Sequence, residues 1–312
     1  MESGAKKDRG RMAMEEYTIV QQYALIGLDG TDSIHKSVEK SAVLRGVRAG
    51  YLLEELMVSR KHCESDFAES LEKVLHEVKS MGGRALKAVE QEITAPLKIS
   101  GALDQVPDLL GCDMYYYTAG VELKVYRSDQ EQYQKITETL RAEVLEEGEL
   151  TEESILLLWL IRESGFMHEI FSQREQGEVE QKIVSTAAAE KWVAVLWAAE
   201  FHKAFESLAR TFIRKKNELF KNPYLEGVNI MYPFLDRRQA VFIDFVVFGT
   251  TVSDRRMAAM SFLCEHGHFV EEVKNGTETL LKIDNIHYRI VPKTVTCRGI
   301  PIQGAVLSPV YG

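Results

Sequence analysis

Residues 14–57 read MEEYTIVQQYALIGLDGTDSIHKSVEKSAVLRGVRAGYLLEELM, and this stretch decides the fold of the first half of the chain. Apolar residues recur at close to helical spacing on both sides of a short polar loop, which predicts a pair of helices. We expect Gly27 and the Asp29-Gly30 pair to end the first helix, because glycine tolerates the left-handed conformation that closes a helix. Small residues would let another helix approach the backbone of the second one closely, namely Ala42, Gly46, Ala49 and Gly50.

More helices are predicted downstream from periodicity, caps and glycine stops. They cover residues 67–79, 85–98 and 130–147, the last capped by Ser128-Asp129, and a further helix follows the Thr151 cap up to Gly165. Residues 100–120 are expected to be rich in turns, and residues 121–127 alternate like a short strand. We therefore predict a mainly α fold, with a helical domain at 14–183 and one core that contains Leu25, Leu44, Leu52, Leu56, Leu157 and Leu160.

A long connecting helix is predicted at 184–221, after a polar link or solvated helix face at 173–180. It carries an aromatic stripe that includes Trp192, Trp197, Phe201 and Phe205. Such a stripe could lie on a membrane surface, form the core between two domains, or pack against a second copy of the chain. We expect the last arrangement, a homo-oligomer held by the stripe.

The final part of the chain, 222–312, is predicted to be a small α+β domain. Strands are expected at 240–251, 269–273, 279–283 and 288–291, with a helix at 253–265. Asn275-Gly276 and Asp284-Asn285 are typical hairpin turns. Residues 294–312 are expected to be irregular.

Composition excludes some classes of function. The chain has 312 residues and a formal net charge of −9, which argues against non-specific binding to nucleic acid. Four cysteines without CxxC spacing favour free thiols in a reducing compartment. Residues 1–13 are polar and predict a disordered leader, so we expect a cytoplasmic protein that can lie at the periphery of a membrane.

The residues that carry chemistry are few. Cys264, His266 and His268 are of the types that bind zinc, although their spacing matches no established zinc pattern. Histidines in a surface turn are the simpler interpretation. There is no phosphate-binding loop and no nucleophile signature, so we expect no cofactor and favour a protein without enzymatic activity.

Two motifs in the opening stretch resemble a known family. The pattern E-x-x-x-x-x-x-Y-A-L-I-G-L-D-G, followed by R-G-V-R-A-G-Y-L-L-E-E-L, is similar to the opening of the Golgi phosphoprotein 3 family. Residues 71–79, 136–150 and 154–166 resemble later helices of that family, in the same order. The resemblance implies a helical peripheral-membrane fold. Eukaryotic members recognise phosphatidylinositol 4-phosphate and act as Golgi adaptors.

Carried over residue by residue, Arg48 falls on a basic position that contacts the lipid head group in this family. Glu39 stands at the position of the family's tryptophan, Gln134 and Thr137 stand near its two later basic residues, and its hydrophobic hairpin is missing. We therefore expect any contact with anionic lipid to be weak and non-specific.

Two functions follow from these observations. The first is a non-enzymatic peripheral-membrane or adaptor-type protein, whose partner is an anionic membrane surface or another protein. The alternative is an enzyme or small-molecule sensor with a ligand cleft between the helical and α+β domains. A pocket with convergent polar groups at that junction would favour the alternative, whereas a flat basic or apolar patch would favour the first.

Overall fold

The computed structural model describes residues 17–60, 67–114, 123–200, 238, 240–244, 251–274, 279–297 and 300–310. Within these ranges the chain is mainly α-helical and carries two antiparallel sheets. The helices are α1 (Ile19–Leu28), α2 (Val38–Arg60), α3 (Phe67–Ser80), α4 (Gly83–Ile99), α5 (Gln130–Leu145), α6 (Glu152–Ser164), α7 (Met167–Ile170), α8 (Gln173–Ala189), α9 (Lys191–Ala198) and α10 (Val252–Glu265). The strands are β1 (Leu103–Pro107), β2 (Lys124–Ser128), β3 (Val241–Asp244), β4 (Val270–Lys274), β5 (Thr279–Ile283), β6 (Ile286–Cys297) and β7 (Ile300–Val310).

Helices α1 to α9 and the β1–β2 hairpin form what we call the helical body. One continuous core lies inside it, and the leucine prediction is confirmed. Leu25, Leu44, Leu157 and Leu160 are buried in this core, and Leu52 and Leu56 pack against it. The predicted caps are also present, since Asp129 and Thr151 accept hydrogen bonds from the first turns of α5 and α6.

The close approach of α1 to α2 depends on the small residues of α2. A Cβ built on Gly46 would collide with the hydroxyl of Tyr23, and a Cβ on Gly50 would lie 2.9 Å from a methyl of Val20. The buried Tyr23 hydroxyl hydrogen bonds with Ser164 of α6. The small-residue face of α2 therefore receives α1.

The predicted long helix at 184–221 is wrong for the part that the structure describes. α8 ends at Ala189, Glu190 is extended with φ −115° and ψ 99°, and α9 ends at Ala198. The break lets α9 turn its apolar face into the helical body, where Trp192 packs edge-on against Phe67 with ring centroids 6.1 Å apart. Residues 173–180, predicted as a polar link or a solvated helix face, form the first half of α8. Residues 201–221 lie outside the described ranges.

The C-terminal part is a five-stranded antiparallel sheet in the order β3-β7-β6-β5-β4, with α10 packed against it. The expectation of irregular structure at 294–312 is wrong for the described residues. β6 and β7 pair along their length, with Ile290 opposite Leu307. β7 also pairs with β3, where Gly304 gives room for the β3 backbone, because a Cβ there would collide with the carbonyl oxygen of Ile243.

In the helical body the sequence missed β1, which pairs with β2 from Leu103↔Ser128 to Pro107↔Lys124. α4 runs through Pro96 to Ile99, and the amide of Ser100 closes its last turn on the Pro96 carbonyl at 3.0 Å. None of the helices in the described ranges combines the length and the apolar character needed to cross a membrane.

Candidate functional site

The helical body meets the sheet through a buried carboxylate, Asp29, at the end of α1. Its Oδ1 accepts hydrogen bonds from the amide of Ser128 at 2.7 Å and from Nδ2 of Asn285 at 3.0 Å. Its Oδ2 accepts one from Nη2 of Arg238 at 2.6 Å. Asn285 also donates to the carbonyl of Ser128 at 3.0 Å. Asp29 thus joins α1, β2 and the turn between β5 and β6.

The same turn contains Asp284, the one described non-glycine residue with a positive φ, at 52°. Its Oδ2 accepts a hydrogen bond from Nδ1 of His268 at 2.8 Å. Its Oδ1 accepts bonds from Nη1 of Arg127 at 3.0 Å and from the amide of Phe269 at 3.2 Å. Asp and Asn tolerate the left-handed region better than other side chains, so the turn suits this residue. Asp284 therefore connects β2 to the segment that follows α10.

Burial and the neighbouring groups shift the pKa values of the acids at this junction in opposite directions. Burial alone would raise the pKa of Asp284, but the hydrogen bond from His268, the Phe269 amide and the charge of Arg127 together hold it below the usual value. Burial raises the pKa of Asp108, and this outweighs the hydrogen bond from the Leu110 amide. Asp284 is therefore suited to remain charged at neutral pH.

A groove of about 530 Å³ opens where the helical body meets the sheet. The helical body contributes residues from β1, β2 and the start of α5, and the sheet contributes residues from its β4 and β5–β6 ends. The described lining residues are Gly101, Asp104, Arg127, Ser128, Asp129, Gln130, Glu131, Gln134, Phe269, Asp284 and Asn285. This is a pocket with convergent polar groups at the junction of the two parts.

The groove is acidic and has one exposed aromatic ring. Among its described lining residues, Arg127 is the one cation, and it is bound to Asp284 and to the carbonyl of Gly267 at 3.2 Å. Asp104, which pairs with Arg127 across β1 and β2, is an exposed carboxylate, as are Asp129 and Glu131. Phe269 is 64% exposed, and its ring centroid lies 4.7 Å from Cζ of Arg127. The groove thus offers negative charge beside an apolar surface.

A second, much smaller cavity of about 40 Å³ lies on the other side of Asp284. Its lining includes Asp108, Arg238, His268 and Tyr288. Asp284 lines both cavities.

The predicted metal residues are not brought together. Cys264 is exposed near the end of α10, and Nδ1 of His266 lies 2.7 Å from the carbonyl of Phe262. His268 is buried and bound to Asp284. Across the described ranges, no group of three His, Cys, Asp or Glu side chains is arranged to hold a metal ion.

The other predicted site residues are engaged within the chain. Nε of Arg48 donates to Glu77 of α3 at 2.9 Å, so the guanidinium that matches the lipid position already has an anionic partner. Trp192 is buried, and Nε1 of Trp197 donates to Glu180 at 3.2 Å. Phe201 and Phe205 lie outside the described residues. Self-association through the aromatic stripe stays a prediction, which Trp197→Glu and light scattering would test.

The sequence analysis missed Asp29, Arg127, Asn285 and Arg238 as site residues. The signal is present in part, since the sequence predicts Asp29-Gly30 as a helix end and Asp284-Asn285 as a hairpin turn. A turn pair shows where the chain reverses and does not show which distant turn it will meet.

Comparisons with models of known protein families, with curated proteins and with solved structures found no match.

Proposed function

We propose that this chain is a non-enzymatic binding protein that takes a small cationic ligand in the groove between the helical body and the sheet. The observation that carries the proposal is the groove itself, which both parts build and in which carboxylates converge beside an exposed ring. Ligand sites occur preferentially where two structural parts meet.

Charge selects the class of ligand. Four of the described lining side chains are carboxylates, and the one guanidinium among them is bound to Asp284. A cation is attracted to such a surface, and clefts of one charge sign raise the local concentration of the opposite sign. Phe269 adds a surface on which methylene groups or a cationic head can rest. An aliphatic amine with two or three charges fits these features.

The junction supports binding better than catalysis. Asp284, which accepts three hydrogen bonds, has a lowered pKa, so it is poorly suited to exchange a proton near neutral pH. Burial raises the pKa of the Cys112 thiol to about 12, so this cysteine stays protonated and is a weak nucleophile.

We keep the Golgi phosphoprotein 3 resemblance as a proposal about the fold of residues 14–183 alone. The mainly helical architecture of this region supports it. The ion pair between Arg48 and Glu77, 2.7 Å at its shortest, gives no support to recognition of a lipid head group. Membrane binding is therefore the alternative that the experiment tests.

The test uses the full chain, isothermal titration calorimetry and spermidine as the probe, with glutarate as the anionic control. The double variant Asp104→Asn/Glu131→Gln removes two groove charges, and Glu72→Gln/Glu147→Gln removes two exposed charges elsewhere. Surface ion pairs are worth about 0.2–1 kcal/mol each. We therefore expect the groove variant to bind spermidine roughly 2- to 30-fold more weakly, and the distant variant to bind like wild type.

Equal weakening in both double variants would show non-specific attraction to the acidic protein and would contradict the proposal. The absence of spermidine binding at low salt would contradict it as well. Co-sedimentation with vesicles that contain phosphatidylinositol 4-phosphate, but not with vesicles of equal charge from another lipid, would favour the membrane role instead.

A further inference from the structure

His268 lies at the junction, and within the described residues only one of its two ring nitrogens has a hydrogen-bond partner. Its side chain is 1% exposed, and Nδ1 lies 2.8 Å from Oδ2 of Asp284. Nε2 is buried and has no hydrogen-bond partner among the described residues. Buried polar groups are nearly always hydrogen-bonded, so we expect this nitrogen to have a hydrogen-bond partner.

The bond to Asp284 fixes what kind of partner Nε2 needs. A carboxylate can only accept, and the hydrogen bonds around Asp284 keep its pKa low and the group ionised. The proton between the two residues therefore belongs to Nδ1 of His268. In the neutral ring Nε2 then carries a lone pair, and its partner has to be a donor.

The small cavity that His268 lines has room for such a donor. The volume open to water in it is about 40 Å³, which is above the roughly 10–15 Å³ that holding one water requires. Asp108 lines the same cavity and lies close enough to His268 for the two groups to influence each other electrostatically. A buried water needs two to four polar partners, and these two side chains supply the first two.

We propose that this cavity is a binding site for a single water molecule, which donates one hydrogen bond to Nε2 of His268 and the other to the carboxyl group of Asp108. A metal ion fits less well. Zinc takes three or four protein ligands, and no such group is assembled in the described part of the chain. The nearby thiol of Cys112, with its pKa raised to about 12 by burial, is a poor metal ligand.

The bound water completes a hydrogen-bonded chain across the junction. It runs from the water through His268 and Asp284 to Arg127, which lines the groove. His268 is thus a positioning residue for Asp284, and the water satisfies the ring nitrogen that Asp284 does not bind.

The first readout is nitrogen-15 NMR of the full chain labelled on its eight histidines. We expect His268 to be protonated on Nδ1, with Nε2 as an acceptor, and its Hε1 to show cross-relaxation to a long-lived water. The second readout is a high-resolution crystal structure, in which a single oxygen should lie within about 3.2 Å of both Nε2 and an Asp108 oxygen.

Two variants test whether the water signal depends on His268 itself or on the junction in general. In His268→Asn, the amide nitrogen can replace Nδ1 as donor to Asp284 while the Nε2 end is removed, so we expect the water cross-peak to be lost. His266→Asn changes a histidine two residues away that contacts the Phe262 carbonyl, and we expect the cross-peak to be retained. The wild-type spectra and structure decide the question even if a variant does not fold.

Three results would overturn the proposal. These are an Nε2 atom bound directly to a protein group, a metal ion seen by its anomalous scattering in this position, and a cavity without ordered density. None of them depends on whether the groove binds spermidine, so the water site and the proposed function can fail separately.

Discussion

Replacing Arg238 with methionine removes one of the cations that join the two parts of the molecule, and the expected cost follows from its contacts. Its guanidinium lies 2.6 Å from Oδ2 of Asp29 and 3.8 Å from Glu169, and both carboxylates are buried. Burial would lower the pKa of Arg238, but these two charges raise it above its usual value. Breaking a buried ion pair costs about 3–5 kcal/mol. Because Asp29 keeps the Ser128 amide and Asn285 as donors, we expect a loss near the lower end, about 3 kcal/mol.

Urea unfolding followed by tryptophan fluorescence measures this loss, because all three tryptophans lie in the helical body. Arg174→Met is the matched control, since that arginine is 90% exposed in a surface pair and should contribute below about 0.5 kcal/mol. Asp29→Asn and the double variant complete a cycle, and we expect a coupling energy above about 1 kcal/mol. A loss below about 1 kcal/mol for Arg238→Met, or additive effects in the cycle, would refute the reasoning.

Three further predictions each compare two variants, two pH values or two cysteines. Gly30→Ala should destabilise the protein by at least about 1 kcal/mol more than Gly101→Ala in urea unfolding, because both have φ near +75° to +78° but only the first Cβ meets a buried guanidinium. The difference in free energy of unfolding between wild type and Asp284→Asn should be largest at pH 7 and should narrow below about pH 4. The folded-state pKa of Asp284 is lowered, so the stabilisation that its carboxylate provides is lost as the group is protonated. A difference unchanged at pH 2.5 would contradict this. Iodoacetamide at pH 8 should modify the exposed Cys264 and spare Cys112 until urea unfolds the chain, as peptide mass spectrometry would show.

The features that sequence analysis predicted well are those encoded by neighbouring residues. Asp129 and Thr151 cap helices because their side chains bond amides two or three positions away. Asp284-Asn285 forms the β5–β6 turn because these residues accept turn geometry. The shared leucine core follows from helical periodicity in the same way.

The features that it missed depend on partners far away in the chain. Glu190 breaks the long helix so that Trp192 can reach Phe67, and no local signal marks that residue as a helix end. β7 was read as irregular because its glycine and prolines are poor strand formers, yet it is paired on both sides by β3 and β6. In each case tertiary packing overrides a local preference.

The candidate site depends most strongly on contacts between residues that are far apart in the sequence. Asn285 reaches Asp29 across 256 residues and Arg238 reaches it across 209. Periodicity and spacing describe one element at a time, so they cannot show that two ordinary turns, one in each half of the chain, face each other.

The turn between β5 and β6 contributes to the candidate site because it contacts a distant part of the chain. A hairpin turn needs residues that accept its backbone geometry, and Asp and Asn meet that requirement anywhere on a surface. Here the turn abuts β2, so Asn285 bonds to Asp29 and to the Ser128 carbonyl while Asp284 bonds to Arg127 and His268. Asp284→Asn keeps the turn geometry and removes the charge, whereas Asn285→Gly keeps a turn residue and removes the link to Asp29. If the site depends on the meeting of the two turns, both variants should fold and both should bind spermidine more weakly. Wild-type binding in Asn285→Gly would show that the groove does not need the link to Asp29.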